Sequence, residues 1–320
     1  YEHGVIIVAT GGKEYRPKEY LYGLDKRVVT QLEFEKMLST DGSKVRDYRT
    51  IVMIQCVGSR NEERKYCSRL CCQEAVKNAL RTKEINPEAN IFVLYKDMRT
   101  YGFAESFYEE ARKKGILFIR YEDDKKPELN QDNGKLSLLV TDTLLKQRLS
   151  ISPDLVVLSA AVLPAENQEL AKMLKVPLTQ DGFFLEAHVK LRPVDFATDG
   201  IYLCGLAHSP KTIGESISQA LGAAARAAIP LSKGYVEALP IIASVNEEKC
   251  IGCGLCVFVC EVKAMKLKPK SEGGKAEVIA ASCKGCGACG ASCPQQAITI
   301  PHFTTEELVA QVDAFAGVTS

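Results

Sequence analysis

Eight of the thirteen cysteines fall between Cys250 and Cys293, in two runs of identical spacing. The first reads Cys250-Ile-Gly-Cys253-Gly-Leu-Cys256-Val-Phe-Val-Cys260. The second reads Cys283-Lys-Gly-Cys286-Gly-Ala-Cys289-Gly-Ala-Ser-Cys293-Pro294. Three thiolates two residues apart can wrap a tight loop around one face of an iron–sulfur cubane. C-x2-C-x2-C-x3-C is the bacterial-type spacing for two [4Fe–4S] clusters, where each fourth cysteine ligates the other cluster. The expected ligand sets are therefore Cys250, Cys253, Cys256 and Cys293 for one cluster, and Cys283, Cys286, Cys289 and Cys260 for the other. Gly252, Gly254, Gly285 and Gly287 lie inside these loops, where positive φ or close backbone approach is expected. The runs form an internal repeat offset by 33 residues, and Ala264-Met265 aligns with Ala297-Ile298. Glu261 stands where the second run has Pro294, which weakens a turn preference and removes no ligand. Zinc would favour pairs of C-x2-C and disulfides an oxidising compartment, so the spacing favours clusters over both.

A second group comprises Cys56, Cys67 and the pair Cys71-Cys72, four thiols within 17 residues. They fall at a strand end and a helix start, where the helix N-terminus lowers thiol pKa and suits ligation or redox chemistry. The alternative is a set of small buried residues, because Cys71 and Cys72 cannot face the same way on a regular helix. The residues alone leave both readings open. Cys204 stands alone on an apolar strand and reads as core. The histidines (His3, His188, His208, His302) are scattered, and only His208 lies in a loop with other site-like features, as a possible flavin neighbour.

The 320 residues leave room for two or three domains. Hydrophobic content of 46% and charged content of 25% are ordinary for a soluble protein. A net charge of +1 gives no argument for nucleic acid or a membrane surface. No apolar run approaches the roughly 20 residues that span a bilayer. The chain opens Tyr1-Glu-His-Gly without a methionine, which reads as a start inside a domain. So many cysteines with cluster spacing argue for a reducing cytoplasm.

The elements that position these cysteines alternate. Val5–Thr10 reads as a strand, and Ala9-Thr10-Gly11-Gly12 either simply stops it on glycine or is the short segment that flavoproteins place beside FAD. Thr30-Gln-Leu-Glu33 reads as a capping box opening a short helix. From 51 to 55 a strand is expected, then a helix over 74–84, a strand over 91–95, a helix over 104–114 and a strand over 116–121. A hairpin over 136–149 and a strand over 155–159 follow. This βαβ alternation predicts a parallel sheet with crossover helices. The first strand leads into Cys56-Val-Gly-Ser-Arg60, where a nucleotide-binding domain would carry G-x-G-x-x-G. The only literal match, Gly285-Cys-Gly287-Ala-Cys-Gly290, lies in a cluster run with no strand before it. A helix is expected over 164–175. Asp199–Gly205 reads as a strand ending in glycine. Thr212–Ala228 reads as a helix rich in small residues whose N-terminus could hold an anion. A linker with Pro240 and the basic cluster domain come next. The lysines there (Lys249, Lys263, Lys266, Lys268, Lys270, Lys284) read as a solvated face or a docking surface for an acidic redox partner.

Val5–Gly11, Gln55–Cys72, Gly200–Ala228 and the double cluster run, in this order, resemble the A-subunit family of heterodisulfide reductase. The resemblance spans essentially the whole chain, and Gln55-Cys-Val-Gly-Ser-Arg60 with Tyr66-Cys-Ser-Arg-Leu-Cys71-Cys72 is its most specific part. It implies FAD and iron–sulfur clusters on an α/β, thioredoxin-reductase-like fold of parallel sheets with crossover helices. To this is added a small α+β two-cluster ferredoxin domain of bacterial type. By residue it implies a third [4Fe–4S] cluster on Cys56, Cys67, Cys71 and Cys72, and flavin contacts at Thr10, Gly11, Gly205, Leu206 and Ala207, with His208 beside them. Residues 1–50 and 150–236 would be parts of an FAD-binding domain, 51–149 an NAD-binding-like domain carrying the cysteine group, 240–303 the ferredoxin domain and 304–320 a C-terminal helix. Family members carry an earlier segment with the FAD glycine fingerprint, so this chain resembles their C-terminal portion, and the N-terminal part of the flavin domain is an expected partner. Leu206 replaces an aspartate common in related flavoproteins, and the missing glycine loop argues against NAD(P). The function implied is electron transfer between FAD and clusters in an electron-bifurcating or confurcating complex. Its expected partners are the other subunits and ferredoxin, hydrogenase or dehydrogenase-type proteins. An NAD(P)H-dependent flavin oxidoreductase and a non-catalytic electron wire are the alternatives.

Overall fold

The computed structural model describes residues 3–40, 42–235 and 241–317. The chain opens with β1 (Ile6–Val8) and β2 (Gly12–Glu14), followed by β3 (Val28–Thr30) and helix α1 (Gln31–Thr40). Next come β4 (Thr50–Val57), α2 (Cys71–Ile85), β5 (Asn90–Tyr95), α3 (Glu105–Lys113) and β6 (Leu117–Arg120). A meander of β7 (Glu128–Asp132), β8 (Lys135–Asp142) and β9 (Gln147–Ile151) precedes β10 (Leu155–Ala160).

Strands β3, β10, β4, β5 and β6, in that order, make one five-stranded sheet, and every neighbouring pair is parallel. β10 is buried along its whole length and β4 nearly so. This is why both read as unbroken apolar runs: a parallel strand covered on both faces has no polar side to show. One face carries Ile51, Met53, Ile91 and Val93 against α1 and α2. The other carries Val52, Ile54, Leu94 and Leu158 against Leu136, Leu138 and Val140 of the meander. The sheet takes in Val28–Thr30 and Leu155–Ala160, outside the 51–149 segment expected for this domain. The expected hairpin is a three-stranded antiparallel sheet, because Glu128–Asp132 pairs with β8. The polar sequence of that strand, Glu-Leu-Asn-Gln-Asp, hides its period. The Thr30–Glu33 capping box forms, with Thr30 N donating to Glu33 Oε2 at 2.8 Å and Glu33 N to Thr30 Oγ1 at 3.3 Å.

A second unit gathers both sides of this sheet. β2 pairs antiparallel with β11 (Val162–Pro164) as a ribbon leading out of the sheet and back. α4 (Gln168–Leu174) follows, then β12 (Ile201–Leu203), which pairs in parallel with β1 through Val8↔Leu203. α5 (Ile213–Lys233) is longer than expected. It opens with a Thr212–Glu215 capping box, runs through Pro230 and closes on Gly234 at φ +75°.

The cysteine runs form a third unit whose halves repeat. β13 (Ser244–Val245) pairs antiparallel with β16 (Ile298–Thr299), and β14 (Met265–Leu267) with β15 (Ala276–Val278). Short helices α6 (Leu255–Val259) and α7 (Ala288–Ala291) begin at matching places in the two runs. α8 (Thr305–Phe315) ends the described chain under a Thr304–Glu307 capping box. The expected linker with Pro240 lies partly outside the described residues.

Candidate cluster and cofactor sites

The 33-residue repeat is structural as well as sequential. Gly252 and Gly285 have φ of +71° and +63°, and Gly254 and Gly287 have +78° and +81°. Ile279 N donates to Ala264 O and Asn246 N to Ala297 O, each at 2.7 Å, as a two-fold repeat requires. Ala264 N points at Cys260 Sγ (3.1 Å) and Ala297 N at Cys293 Sγ (3.3 Å).

The repeat produces two hollows. One is lined by Cys250, Cys253, Cys256 and Cys293, with Leu255, Leu267, Ala276 and Ile298 as apolar walls. The other is lined by Cys260, Cys283, Cys286 and Cys289, with Val262, Ala264, Met265 and Ile300. In both, the fourth cysteine comes from the opposite run. Among the described residues no three His, Cys, Asp or Glu side chains close on the position of a single ion. Four thiols around a volume, with no carboxylate or histidine among the linings, fit a cubane better than zinc, which needs its ligands at one point.

Glycine is required at two of these positions for steric as well as conformational reasons. A Cβ on Gly252 would lie 2.5 Å from Gly274 O, and one on Gly285 2.4 Å from Ile241 O, whereas Gly287 has open space. Gly285→Ala should therefore lose the hollow beside it, with iron content falling and the melting temperature dropping. Gly287→Ala should cost only the roughly 1–2 kcal/mol of a left-handed alanine and keep its iron; equal behaviour of the two variants would refute the steric argument.

The second cysteine group gathers at the end of β4. Register with β10 shifts between Leu158↔Ile54 and Ala160↔Val57, so β4 carries one extra residue there. In this bulge Cys56 takes φ +62°, a conformation an L side chain adopts at a cost and one that re-aims it out of the ladder. Arg60 (φ +55°) and Arg69 (φ +61°) share the strain in the same loop. Cys71 and Cys72 open α2 and do diverge: Cys71 Sγ faces Ala160 O and Cys72 Sγ faces Asp97 O, each at 3.8 Å. Both nonetheless feel Cys56 and Cys67 electrostatically, so the four thiols share one neighbourhood. Arg69 N donates to Cys67 Sγ at 3.3 Å, and Arg60 Nη1 lies 4.0 Å from Cys56 Sγ.

The lowered thiol pKa expected from the helix N-terminus is overturned. Burial pushes Cys56 up, Cys71 well up and Cys72 to about 11. The charge of a helix end is worth less than the cost of placing a thiolate in an apolar interior. Ligation must therefore displace protons from these thiols. Beside Cys56, the Gln55 side chain is fully buried and neither its amide nitrogen nor its oxygen has a partner.

Above Gly58, in the loop where a dinucleotide phosphate would approach the backbone, stands Tyr15. A Cβ on Gly58 would be 2.2 Å from its ring, and the Arg64 guanidinium lies 4.9 Å from the ring centre on another side.

The flavin-type residues meet where β1 and β12 end together, with Cys204 N donating to Val8 O at 3.1 Å. Gly11 (φ +75°) and Gly205 (φ +68°) both have open space around them. Thr10 Oγ1 donates to Asn167 Oδ1 at 2.9 Å. Leu206 is half-buried beside Gly12. Ala207 is fully buried in the core with its carbonyl taken by Phe184 N, so its side chain does not face this crevice.

His208 is held at both nitrogens. Gln219 Nε2 donates to Nδ1 at 2.8 Å, because Gln219 Oε1 is already committed to Gly205 N, and Nε2–H therefore points at Glu186 Oε2 at 2.9 Å. Burial, then the neighbouring Lys211 charge, holds the imidazole below its ordinary value. Lys211, which the sequence did not single out, donates to Gly205 O (2.8 Å) and Ser209 O (3.0 Å). Burial, then Arg69, pulls it down to about 8. An unfolded lysine binds its proton up to pH of roughly 10.4. Between the two values the unfolded chain binds more protons, so stability should rise as pH climbs from about 8 to about 10. Denaturation midpoints should show this rise in the wild type and lose it in Lys211→Met.

The two regions touch. Arg69, two residues after Cys67, donates to Pro210 O (3.3 Å), Tyr101 Oη (2.9 Å) and the Glu215 carboxylate (2.5 Å). Ser68 Oγ accepts from Val162 N at 2.9 Å.

Two crosswise rings of four thiols, a third thiol group and a parallel α/β body define an iron–sulfur protein of the redox class. Residues 243–300 match the 4Fe-4S dicluster domain family. Nearly the whole chain is similar to A-subunits of heterodisulfide reductases. It is 42% identical, over 98% of its length and 49% of the relative's, to the A-subunit of the H(2):CoB-CoM heterodisulfide,ferredoxin reductase of Methanothermobacter marburgensis. It is 38% identical, over 97% of its length and 50% of the relative's, to the iron-sulfur A-subunit of the CoB–CoM heterodisulfide reductase of Methanocaldococcus jannaschii. The chain thus spans about half the length of the curated relatives it matches. Among solved structures, the thioredoxin reductase of T. acidophilum aligns with 71% of this chain and 66% of its own, at 16% identity and a TM-score of 0.48.

Proposed function

We propose that this chain carries three [4Fe–4S] clusters and part of an FAD site, and that it moves electrons between flavin and clusters in a heterodisulfide reductase-like complex. The observation that carries this reading is the crosswise lining of the two hollows, four thiols each and one from the opposite run. Cys250, Cys253, Cys256 and Cys293 hold one cluster, and Cys260, Cys283, Cys286 and Cys289 the second. Cys56, Cys67, Cys71 and Cys72 hold the third, supported by their common neighbourhood and the strained bulge that aims Cys56.

FAD binds in the crevice beyond β1 and β12, beside Thr10, Gly11, Gly205, Leu206 and His208. Open carboxyl ends of parallel strands are where α/β folds take such ligands. Bound flavin exchanges electron pairs with one partner and single electrons with clusters. The protein supplies position and electrostatics: Lys211 and the His208–Glu186 pair fix charge and protons at the crevice, and Arg69 ties the third cluster's loop to its wall. The rest of the FAD site comes from polypeptide corresponding to the remainder of the longer relatives. The other subunits of the complex and ferredoxin, hydrogenase or dehydrogenase-type proteins are its redox partners. Among the described residues no helix is long and apolar enough to cross a membrane, and a reducing cytoplasm suits so many free thiols.

Tyr15 on Gly58 argues against the alternative of an NAD(P)H-dependent oxidoreductase, since it fills the place of a pyrophosphate. The test is anaerobic co-purification with the completing polypeptide, followed by flavin and iron analysis. About twelve irons with one FAD are expected, as three cubanes hold four irons each. About eight irons would remove the third cluster, absence of flavin would leave an electron wire, and bleaching of the flavin by NADPH alone would return the alternative.

A further inference from the structure

The two-fold repeat of the cluster domain provides its own control. In each set of four cysteines two are buried, one is half-buried and one is exposed, so the two sets match in burial class. The sulfur contacts from Ala264 and Ala297 also match. Beyond side-chain differences such as Glu261 for Pro294 and Ile251 for Lys284, the backbone that follows each half breaks the symmetry. After β14 the chain turns through Pro269–Gly274 and returns as β15, lying against the Cys250 loop, whereas after β16 it departs into α8. The returning segment brings Ala276 N to Cys250 Sγ at 3.4 Å and the Lys275 ammonium onto Cys250 O. Among the described residues no comparable donor reaches Cys283, the symmetry mate of Cys250.

The remaining charges do not restore the balance. Lys284, within the second run, is paired with Asp199 at 2.8 Å. Glu247, which feels Lys275, is bonded to Lys268 at 2.6 Å. Lys249 and Lys263, one beside each run, are exposed. Donors to ligand sulfur and nearby cations favour the more negative, reduced state of a cluster and so raise its potential.

We propose that the loop Lys268–Ala276 makes the site framed by Cys250, Cys253, Cys256 and Cys293 the higher-potential member of the pair. This rests on the two-cluster reading above. One electron entering the domain then resides first at that site, and the site framed by Cys260, Cys283, Cys286 and Cys289 is reduced second.

The test is a redox titration of the whole chain followed by electron paramagnetic resonance, in which the pair is recognised by its mutual spin coupling. Two waves are expected. Lys275→Gln should move the higher wave down toward the lower and leave the lower in place. Ala276→Pro, which deletes the donor and keeps the lysine, should do the same. Movement of the lower wave, or no movement of either with both clusters retained, overturns the proposed order. Loss of the spin-coupled pair already in the wild type overturns instead the two-cluster reading on which it rests.

Discussion

Cys293→Ala should remove the cluster held by Cys250, Cys253 and Cys256, more than thirty residues away, and spare the one held by its neighbours Cys283, Cys286 and Cys289. The argument is geometric: Cys293 lines the first hollow and Cys260 the second. Each loop of three thiolates closes around one face of a cubane, and the helical turn that follows carries the fourth thiol across to the other. Iron should fall by about four per chain, the content of one cubane. Double variants sharpen the test. Cys293→Ala with Cys256→Ala strikes the same cluster twice, so the loss stays near four irons. Cys293→Ala with Cys289→Ala strikes both clusters and the loss approaches eight. If each run held its own cluster, these two results would be exchanged.

Cys71→Ala should lower iron by a further cubane, from about twelve per chain to about eight, and leave the spin-coupled pair of the cluster domain untouched. Cys71 is buried at the start of α2 and feels Cys56, which sits in the β4 bulge. Alanine there also removes a polarizable side chain from a well-packed position, so some loss of stability is expected with it. Cys204→Ala provides the control, since it deletes a buried thiol of the β12 end that none of the three groups includes. Iron analysis with the melting temperature separates the outcomes: both variants soften the fold, and only Cys71→Ala loses iron. Unchanged iron in Cys71→Ala would return the Cys56 group to a set of small core residues.

The grouping of the cluster-domain cysteines around two hollows was legible because the spacing is local. Three of the thiols around each hollow lie within seven residues, and the glycines that permit the turn lie between them, so spacing carries nearly all the information. The parallel sheet was legible for a similar reason, since strands such as Leu155–Ala160 are covered on both faces and show it as continuous apolar sequence. Glu128–Asp132 was hidden because a strand at the edge of a small meander needs few apolar residues. The membership of Val28–Thr30 in the central sheet was hidden because its partner is more than a hundred residues away.

At the sites, the same division holds. The sequence by itself determined the spacing of the thiols and where the chain must turn on glycine, both set within single turns of backbone, and with them the 33-residue repeat. Only the tertiary structure decided that burial overrides the helix end at Cys71 and Cys72, because solvent exclusion depends on every element packed around a thiol. It also decided that Tyr15 covers Gly58, that Lys211 and Glu186 join His208, and that Arg69 links the thiol loop to α5. The asymmetry between the two cluster sites belongs there too. Two runs alike in cysteine spacing differ also in what the rest of the fold lays against them, and that is fixed by long-range packing.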